Sequence, residues 1–86
     1  MMFYRIKNAQ PRNNFMLEIE FLDGTVKLYD VKQLFCKFPI FKVLQTNPEL
    51  FRKVRVDIGG YGISWNDELD LSCNELYYGA NKQEKL

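Results

Sequence analysis

Four basic residues lie in the middle of the chain and are the first candidates for a binding site. They are Lys42, Arg52, Lys53 and Arg55, with Phe41 and Phe51 beside them. Basic side chains interleaved with aromatic ones are typical of nucleic-acid-binding surfaces. The two phenylalanines take inward positions, however, and Arg55 shares its strand face with Asp57. The stretch therefore fits either a contact surface for nucleic acid or a partner, or a solvated face. Tyr78, near the end of the last predicted helix, is a further candidate contact residue.

Two other segments have residue types that could bind ions. Residues 59–62 read Gly-Gly-Tyr-Gly, but they lack the Lys-Ser/Thr of a phosphate-binding loop and precede a strand, so a hairpin turn is the preferred interpretation. Asp67, Glu68 and Asp70 form an acidic cluster whose spacing matches no calcium loop. We interpret it as a solvated loop ahead of a helix. The sequence predicts no metal site and no cofactor.

Histidine is absent from the whole chain. This absence removes the Ser-His and Cys-His nucleophile pairs, the histidine metal ligand and the histidine general base. No pair of carboxylates stands out as a catalytic dyad either. We therefore expect no enzymatic activity and assign no catalytic residue.

The composition predicts one small folded domain in the cytoplasm. Twelve Lys and Arg against eleven Asp and Glu leave a net charge of +1, which provides no global field for nucleic acid or an acidic membrane. No apolar run is long enough for a secretory leader or a membrane span. Cys36 and Cys73 lie in apolar helical contexts, so both are expected to be reduced and largely buried.

The clearest structural pattern is a hairpin around Asp23-Gly24. Phe15, Leu17, Ile19 and Phe21 alternate with polar residues, as in a half-buried strand, and Asp-Gly favours a two-residue turn with positive φ at Gly24. That turn predicts a register in which Phe21 faces Val26, Glu20 faces Lys27 and Ile19 faces Leu28.

Weaker signals complete an α+β chain with the order β-β-β-α-(short α)-β-β-α. A first strand is predicted over 3–8 with a turn over 10–14, and a second hairpin is predicted over 54–65 with Val54, Val56 and Ile58 inward. Its turn fits either Gly59-Gly60 or Gly60-Tyr61. Helix starts are predicted at Asp30, within Thr46-Asn47-Pro48-Glu49 and at Ser72, with Gly79 just beyond the last helix. Residues 40–44 fit a strand or a helix. We place a single domain over 1–80 and a frayed polar tail over 81–86.

An ordered set of short motifs resembles a known family. The motifs are Phe-Leu-Asp-Gly-Thr at 21–25, residues 44–51, Val-Arg-Val-Asp at 54–57, Gly-Ile-Ser-Trp at 62–65 and Leu-Tyr at 76–77. The set resembles the small bacterial domain-of-unknown-function family numbered 2442 over about residues 4–79. The resemblance implies an α+β fold and a gene beside that of another small protein, as in toxin–antitoxin pairs. Some members carry a helix-turn-helix domain, and the family has no established catalytic residues.

These observations lead to one expected function and one alternative. We expect a non-enzymatic module that binds a small protein encoded nearby, with self-association left open. The alternative is a regulatory protein associated with nucleic acid through residues 42–55, although direct nucleic-acid binding is disfavoured by the charge balance.

Overall fold

The computed structural model describes residues 3–82 and shows an α+β domain with two antiparallel sheets. The strands are β1 (Ile6–Arg12), β2 (Met16–Phe21), β3 (Val26–Asp30), β4 (Arg55–Val56), β5 (Gly62–Ser64), β6 (Asp70–Ser72) and β7 (Asn81–Lys82). The helices are α1 (Lys32–Lys37), α2 (Lys42–Thr46), α3 (Pro48–Arg52) and α4 (Cys73–Gly79). The first sheet has the strand order β1-β2-β3-β7, and the second has the order β4-β5-β6. The predicted fold class is confirmed, and β6, β7 and the helix α2 are additions to the predicted order.

One hydrophobic core lies between the sheets and the helices. It includes the inward residues of β2, the buried Tyr29 of β3 and the buried Trp65, whose indole N–H donates to the carbonyl oxygen of Phe51 at 3.0 Å. No buried side-chain nitrogen or oxygen among the described residues lacks a hydrogen-bond partner. No helix in that part of the chain is long and apolar enough to cross a membrane.

The hairpin between β2 and β3 forms, but its predicted register is wrong by one residue. Val26 pairs with Glu20, and Lys27 pairs with Ile19. The Gly24 amide donates to the carbonyl oxygen of Phe21 at 2.9 Å, and Phe21 donates to the Thr25 carbonyl oxygen at 2.8 Å. The loop therefore has three residues, 22–24, with Gly24 at φ +90° as expected. This is the loop in which a type I turn ends in a left-handed residue, and the extra residue shifts every pair.

The first hairpin is displaced toward the C-terminus. The strand predicted over 3–8 begins at Ile6 and extends to Arg12, which lies within the predicted turn over 10–14. Pro11 is tolerated because β1 is the edge of its sheet, where a missing N–H interrupts no ladder on the outer side. The turn falls at Asn14 and Phe15, both with positive φ. Phe15 is held there by edge-to-face contacts with Phe35 and Phe51, at ring-centroid distances of 5.5 and 5.3 Å.

The helix starts are confirmed more closely than the helix ends. The Asn47 and Ser72 side chains accept from the Leu50 and Glu75 amides, at 3.4 and 3.1 Å. At α1, Asp30 accepts from the Lys32 amide at 3.0 Å, although the residue preceding the helix is Val31. Residues 40–44, whose pattern fits a strand or a helix, are helical: they lie in a short 3-10 turn over Pro39–Phe41 and in α2.

Three further predictions need correction. Gly79 is the last residue of α4 and not the residue beyond it, and a Cβ there would lie 2.9 Å from the Tyr29 ring, so glycine permits a close approach. Asn81–Lys82, placed in a frayed tail, pair with β3 because that edge of the sheet is open to them. Residues 83–86 of that tail lie outside the described residues. Cys73 is buried as expected, but Cys36 is exposed because it faces away from the buried Leu34 and Phe35.

Candidate interaction surfaces

The four basic residues are all exposed, and they lie on three different elements. Lys42 begins α2, Arg52 ends α3 with Lys53 directly after it, and Arg55 lies on β4. None of the ion pairs among residues 3–82 includes any of them. Arg52 lines a shallow cavity together with Arg12 and the Asn13–Phe15 turn, a cavity that neither Lys42 nor Arg55 reaches.

Arg55 stands on a mixed face of the second sheet. It lies directly opposite Ser64, which in turn lies opposite Asp70. The Ser64 hydroxyl donates to the carboxylate of Asp57 at 2.7 Å. Arg55 therefore shares its face of the second sheet with Asp70, two strands away.

The glycine segment forms a turn, as preferred. Asp57 donates its amide to the carbonyl oxygen of Gly62 at 2.9 Å, and Val56 pairs with Ile63, which is the register of a turn centred on Gly59-Gly60. Gly59 and Gly60 have φ values of +82° and +78°. The ladder stops at this point, so Ile58 is fully exposed and its predicted inward position is wrong.

The acidic segment is organised by Asn66. Its side-chain oxygen accepts from the amides of Glu68 and Leu69, at 2.9 and 3.0 Å, which makes a tight turn. Among the described residues, no group of three acidic or sulfur ligands is placed to hold a metal ion.

Aromatic residues cluster at the end of the molecule that carries the N-terminal segment. We call this the aromatic surface and define it by the exposed or half-buried side chains of Phe3, Tyr4, Leu22, Tyr61 and Tyr78. Phe3 meets Tyr61 edge to face at 5.7 Å, and Tyr4 meets Tyr78 in the same way at 5.6 Å. A side-chain hydrogen bond with Tyr78 is the main cause of a raised pKa at Tyr4.

Lys27 contacts the Tyr77 side of this surface. The sequence alone does not indicate this role. Its ammonium donates to the carbonyl oxygen of Tyr77 at 2.6 Å and lies 3.5 Å from the centre of the Tyr77 ring. The same ring also stacks on Tyr4 at 3.6 Å and makes edge-to-face contacts with Phe21 at 5.0 Å and with Tyr78 at 5.5 Å. A cation near the last carbonyls of a helix and over an aromatic face is favourable on both counts.

A second apolar surface lies between α1 and β6. We call it the helical groove: it is lined by Leu34, Phe38, Phe41 and Leu71, with Asp70, Ser72 and Glu75 at its rim. Phe38 is 53% exposed although it belongs to a groove otherwise lined by largely buried apolar residues.

The free edge of β6 lies beside this groove. The carbonyl of Leu69 and the amide of Cys73 both bond toward the β5 side, to Trp65 and Tyr61 respectively. Backbone groups alternate in direction along a strand, so the N–H and C=O of Asp70 point to the opposite edge. In the described part of the chain, no strand pairs with that edge.

Together these features define a small α+β domain whose described residues form two apolar surfaces and no cluster of metal ligands. The chain belongs to a family of proteins of unknown function, DUF2442, whose model matches residues 6–82. No curated protein and no solved structure matches the chain.

Proposed function

We propose that this chain is a non-enzymatic module that binds a small partner protein in the cytoplasm through the helical groove. The observation that carries the proposal is the position of an apolar groove beside an edge of β6 with which no described strand pairs. An extended segment of a partner can pair with such an edge and place alternate side chains in the adjacent groove. The chain also lacks histidine, which is consistent with binding and not catalysis.

The proposed partner is the product of a neighbouring gene, in an arrangement like that of toxin–antitoxin pairs. The family resemblance supports this part of the proposal. A groove lined by Phe38 and Phe41, with carboxylates at its rim, favours a segment that alternates apolar and basic residues.

The test is calorimetric titration of the purified chain with the purified neighbouring protein. Phe38→Asp places a charge in the groove and should raise the dissociation constant at least about tenfold, the effect of losing about 1.4 kcal/mol. Ile58→Asp is the matched control, because it adds the same charge at an exposed apolar position outside the groove. An unchanged affinity in Phe38→Asp, or equal losses in both variants, would exclude the groove as the binding site.

A nucleic-acid-associated role is the second candidate. It is supported by the four basic residues, which are exposed and form no ion pair within residues 3–82. Each phosphate contact adds about −0.9 to the slope of log K against log salt, so Lys42, Arg52, Lys53 and Arg55 together allow about −3.6. Binding of random duplex and single-stranded oligonucleotides at several salt concentrations measures this slope. Tight, sequence-selective binding by the isolated chain would place this candidate above the groove.

A further inference from the structure

The turn between β4 and β5 is fixed from two sides by the N-terminal strand. Gly60 packs so closely against β1 that a Cβ on it would lie 2.4 Å from the carbonyl oxygen of Ile6. The Arg5 guanidinium donates from Nε to the carbonyl oxygen of Gly59 at 2.7 Å and lies 5.0 Å from the centre of the Tyr61 ring. These contacts hold the backbone of the turn in one place.

Ile58 protrudes from this fixed turn. Its side chain is 99% exposed, the highest value among the exposed large apolar residues of the described chain. A branched apolar side chain on a rigid support has little conformational freedom to lose when a partner buries it. Ile58 therefore has the properties of an interface anchor.

A small apolar cavity lies on the same side of the molecule. Phe3, Tyr4 and Leu22 form its walls together with the buried Phe21. The Leu22 amide donates to the carbonyl oxygen of Arg5 at 2.8 Å, which fixes the loop after β2 against the N-terminal segment. Since Phe3 also touches Tyr61, the cavity is continuous with the turn that carries Ile58.

Opposite charges stand at the edge of this cavity. Arg5 and Asp23 both line it, and no ion pair of the described residues includes either of them. The amide of Thr25 donates to Asp23 at 2.9 Å and lowers its pKa, so its carboxylate is ionised at neutral pH.

An anchor, a cavity and both charges on one surface fulfil the requirement for a two-fold contact, in which residue i of each copy meets residue j of the other. The net charge of +1 gives little repulsion between copies. We propose that two copies of this chain associate through the aromatic surface, with Ile58 of each copy in the cavity lined by Phe3 and Leu22 of the other, and with Arg5 facing Asp23 across the interface. This surface is separate from the helical groove, so a dimer leaves the groove free for its partner.

Analytical ultracentrifugation of the full chain, from low micromolar to submillimolar concentration, tests the proposal. The wild type should sediment as a dimer with a concentration-dependent monomer fraction. Ile58→Asp should raise the dimer dissociation constant about 30-fold or more, as expected for a hot spot, and should leave the monomer's unfolding transition unchanged. Phe38→Asp should leave the dimer unchanged. A wild type that is monomeric throughout, or a dimer that survives Ile58→Asp, would overturn the proposal.

The orientation of the two copies has its own measurement. Ile58→Cys and Leu22→Cys are made in separate chains, each with Cys36→Ser because Cys36 is exposed. Under mild oxidation, an equimolar mixture of the two should form the mixed disulfide far beyond its share from random pairing, which is twice the yield of either self-linked product. A random distribution of the three products would contradict the proposed contact. The two proposals can fail independently. Ile58→Asp should lose the dimer and keep partner binding, and Phe38→Asp should lose partner binding and keep the dimer.

Discussion

Replacing Gly60 by alanine tests how strongly the turn between β4 and β5 depends on its contact with β1. Gly60 is buried and has φ +78°, a region that L-residues rarely adopt. An added Cβ would lie 2.4 Å from the carbonyl oxygen and 3.0 Å from the nitrogen of Ile6. Both are backbone atoms, so the strand itself has to move.

Gly24 provides the control that separates the two costs. Its φ is +90°, yet a Cβ there would meet nothing within 4 Å. Gly24→Ala should therefore lose only the conformational term, about 1–2 kcal/mol. Gly60→Ala adds overpacking of about 1–3 kcal/mol, for a total of about 2–5 kcal/mol. A domain of 86 residues has about 4–13 kcal/mol in all, so the larger loss approaches unfolding.

Urea denaturation followed by tryptophan fluorescence measures both variants. Trp65 is the only tryptophan and is buried, so its emission reports the packed state. We expect a markedly lower midpoint for Gly60→Ala than for Gly24→Ala, with similar m-values. Equal midpoints would refute the steric argument and with it the rigid turn on which the position of Ile58 depends.

Three other predictions follow from single residues. Ser72→Ala removes the side chain that caps α4 and should lower the free energy of unfolding by about 0.5–2 kcal/mol in urea titrations; no change would show that the cap is unimportant. Burial, together with the nearby charge of Glu75, raises the pKa of Tyr29 above its ordinary value of 10.0. The contribution of Tyr29 to the free energy of unfolding should therefore be fully present below pH 10 and decrease above it, because the tyrosine of the unfolded chain ionises first. The free energy of unfolding should fall less steeply with pH in Tyr29→Phe, and identical slopes in both proteins would contradict this. Thiol reagents should label Cys36 rapidly in the native state and Cys73 only on unfolding, and equal rates would contradict their different burial.

The sequence predicts the existence of the β2–β3 hairpin but not its register. Alternation identifies the inward residues of β2 correctly, because Leu17, Ile19 and Phe21 are all buried. On β3 the pattern gives Val26 and Leu28 as inward residues, whereas Lys27 and Tyr29 take those positions. Asp-Gly is compatible with a two-residue loop and with a three-residue loop. The apolar Val26 and Leu28 favour the two-residue loop, which is not the one that forms. The register is decided by burial of Tyr29 under α4, which local pattern does not contain.

The second hairpin shows how a tertiary contact ends a strand early. Val54, Val56 and Ile58 alternate as one buried face would, and the first two are half-buried. The chain then turns so that Gly60 can lie against the backbone of Ile6, and Ile58 is left in solvent. Sequence separation between Gly60 and Ile6 is too large for any local signal to indicate this contact.

The sequence identifies the basic candidate contact residues by their type, whereas the apolar ones are recognised only from their positions in the fold. Lys42, Arg52, Lys53 and Arg55 are exposed, but the structure distributes them over three elements. The helical groove and the cavity beside Phe3 each combine residues that are far apart in the chain. Such surfaces follow from topology, so the sequence indicates their members only as unexplained apolar residues.

The position of Lys27 links the hairpin loop to the aromatic surface. With a two-residue loop, Lys27 would lie on the outer face opposite Glu20, and nothing would approach the last carbonyls of α4. With the observed loop, Lys27 lies on the inner face, bonds the Tyr77 carbonyl and lies over the Tyr77 ring. Tyr77 then presents its ring to Tyr4, which brings the N-terminal segment and Phe3 to the cavity. One additional loop residue therefore determines both which face of β3 is charged and where the proposed self-association surface is built.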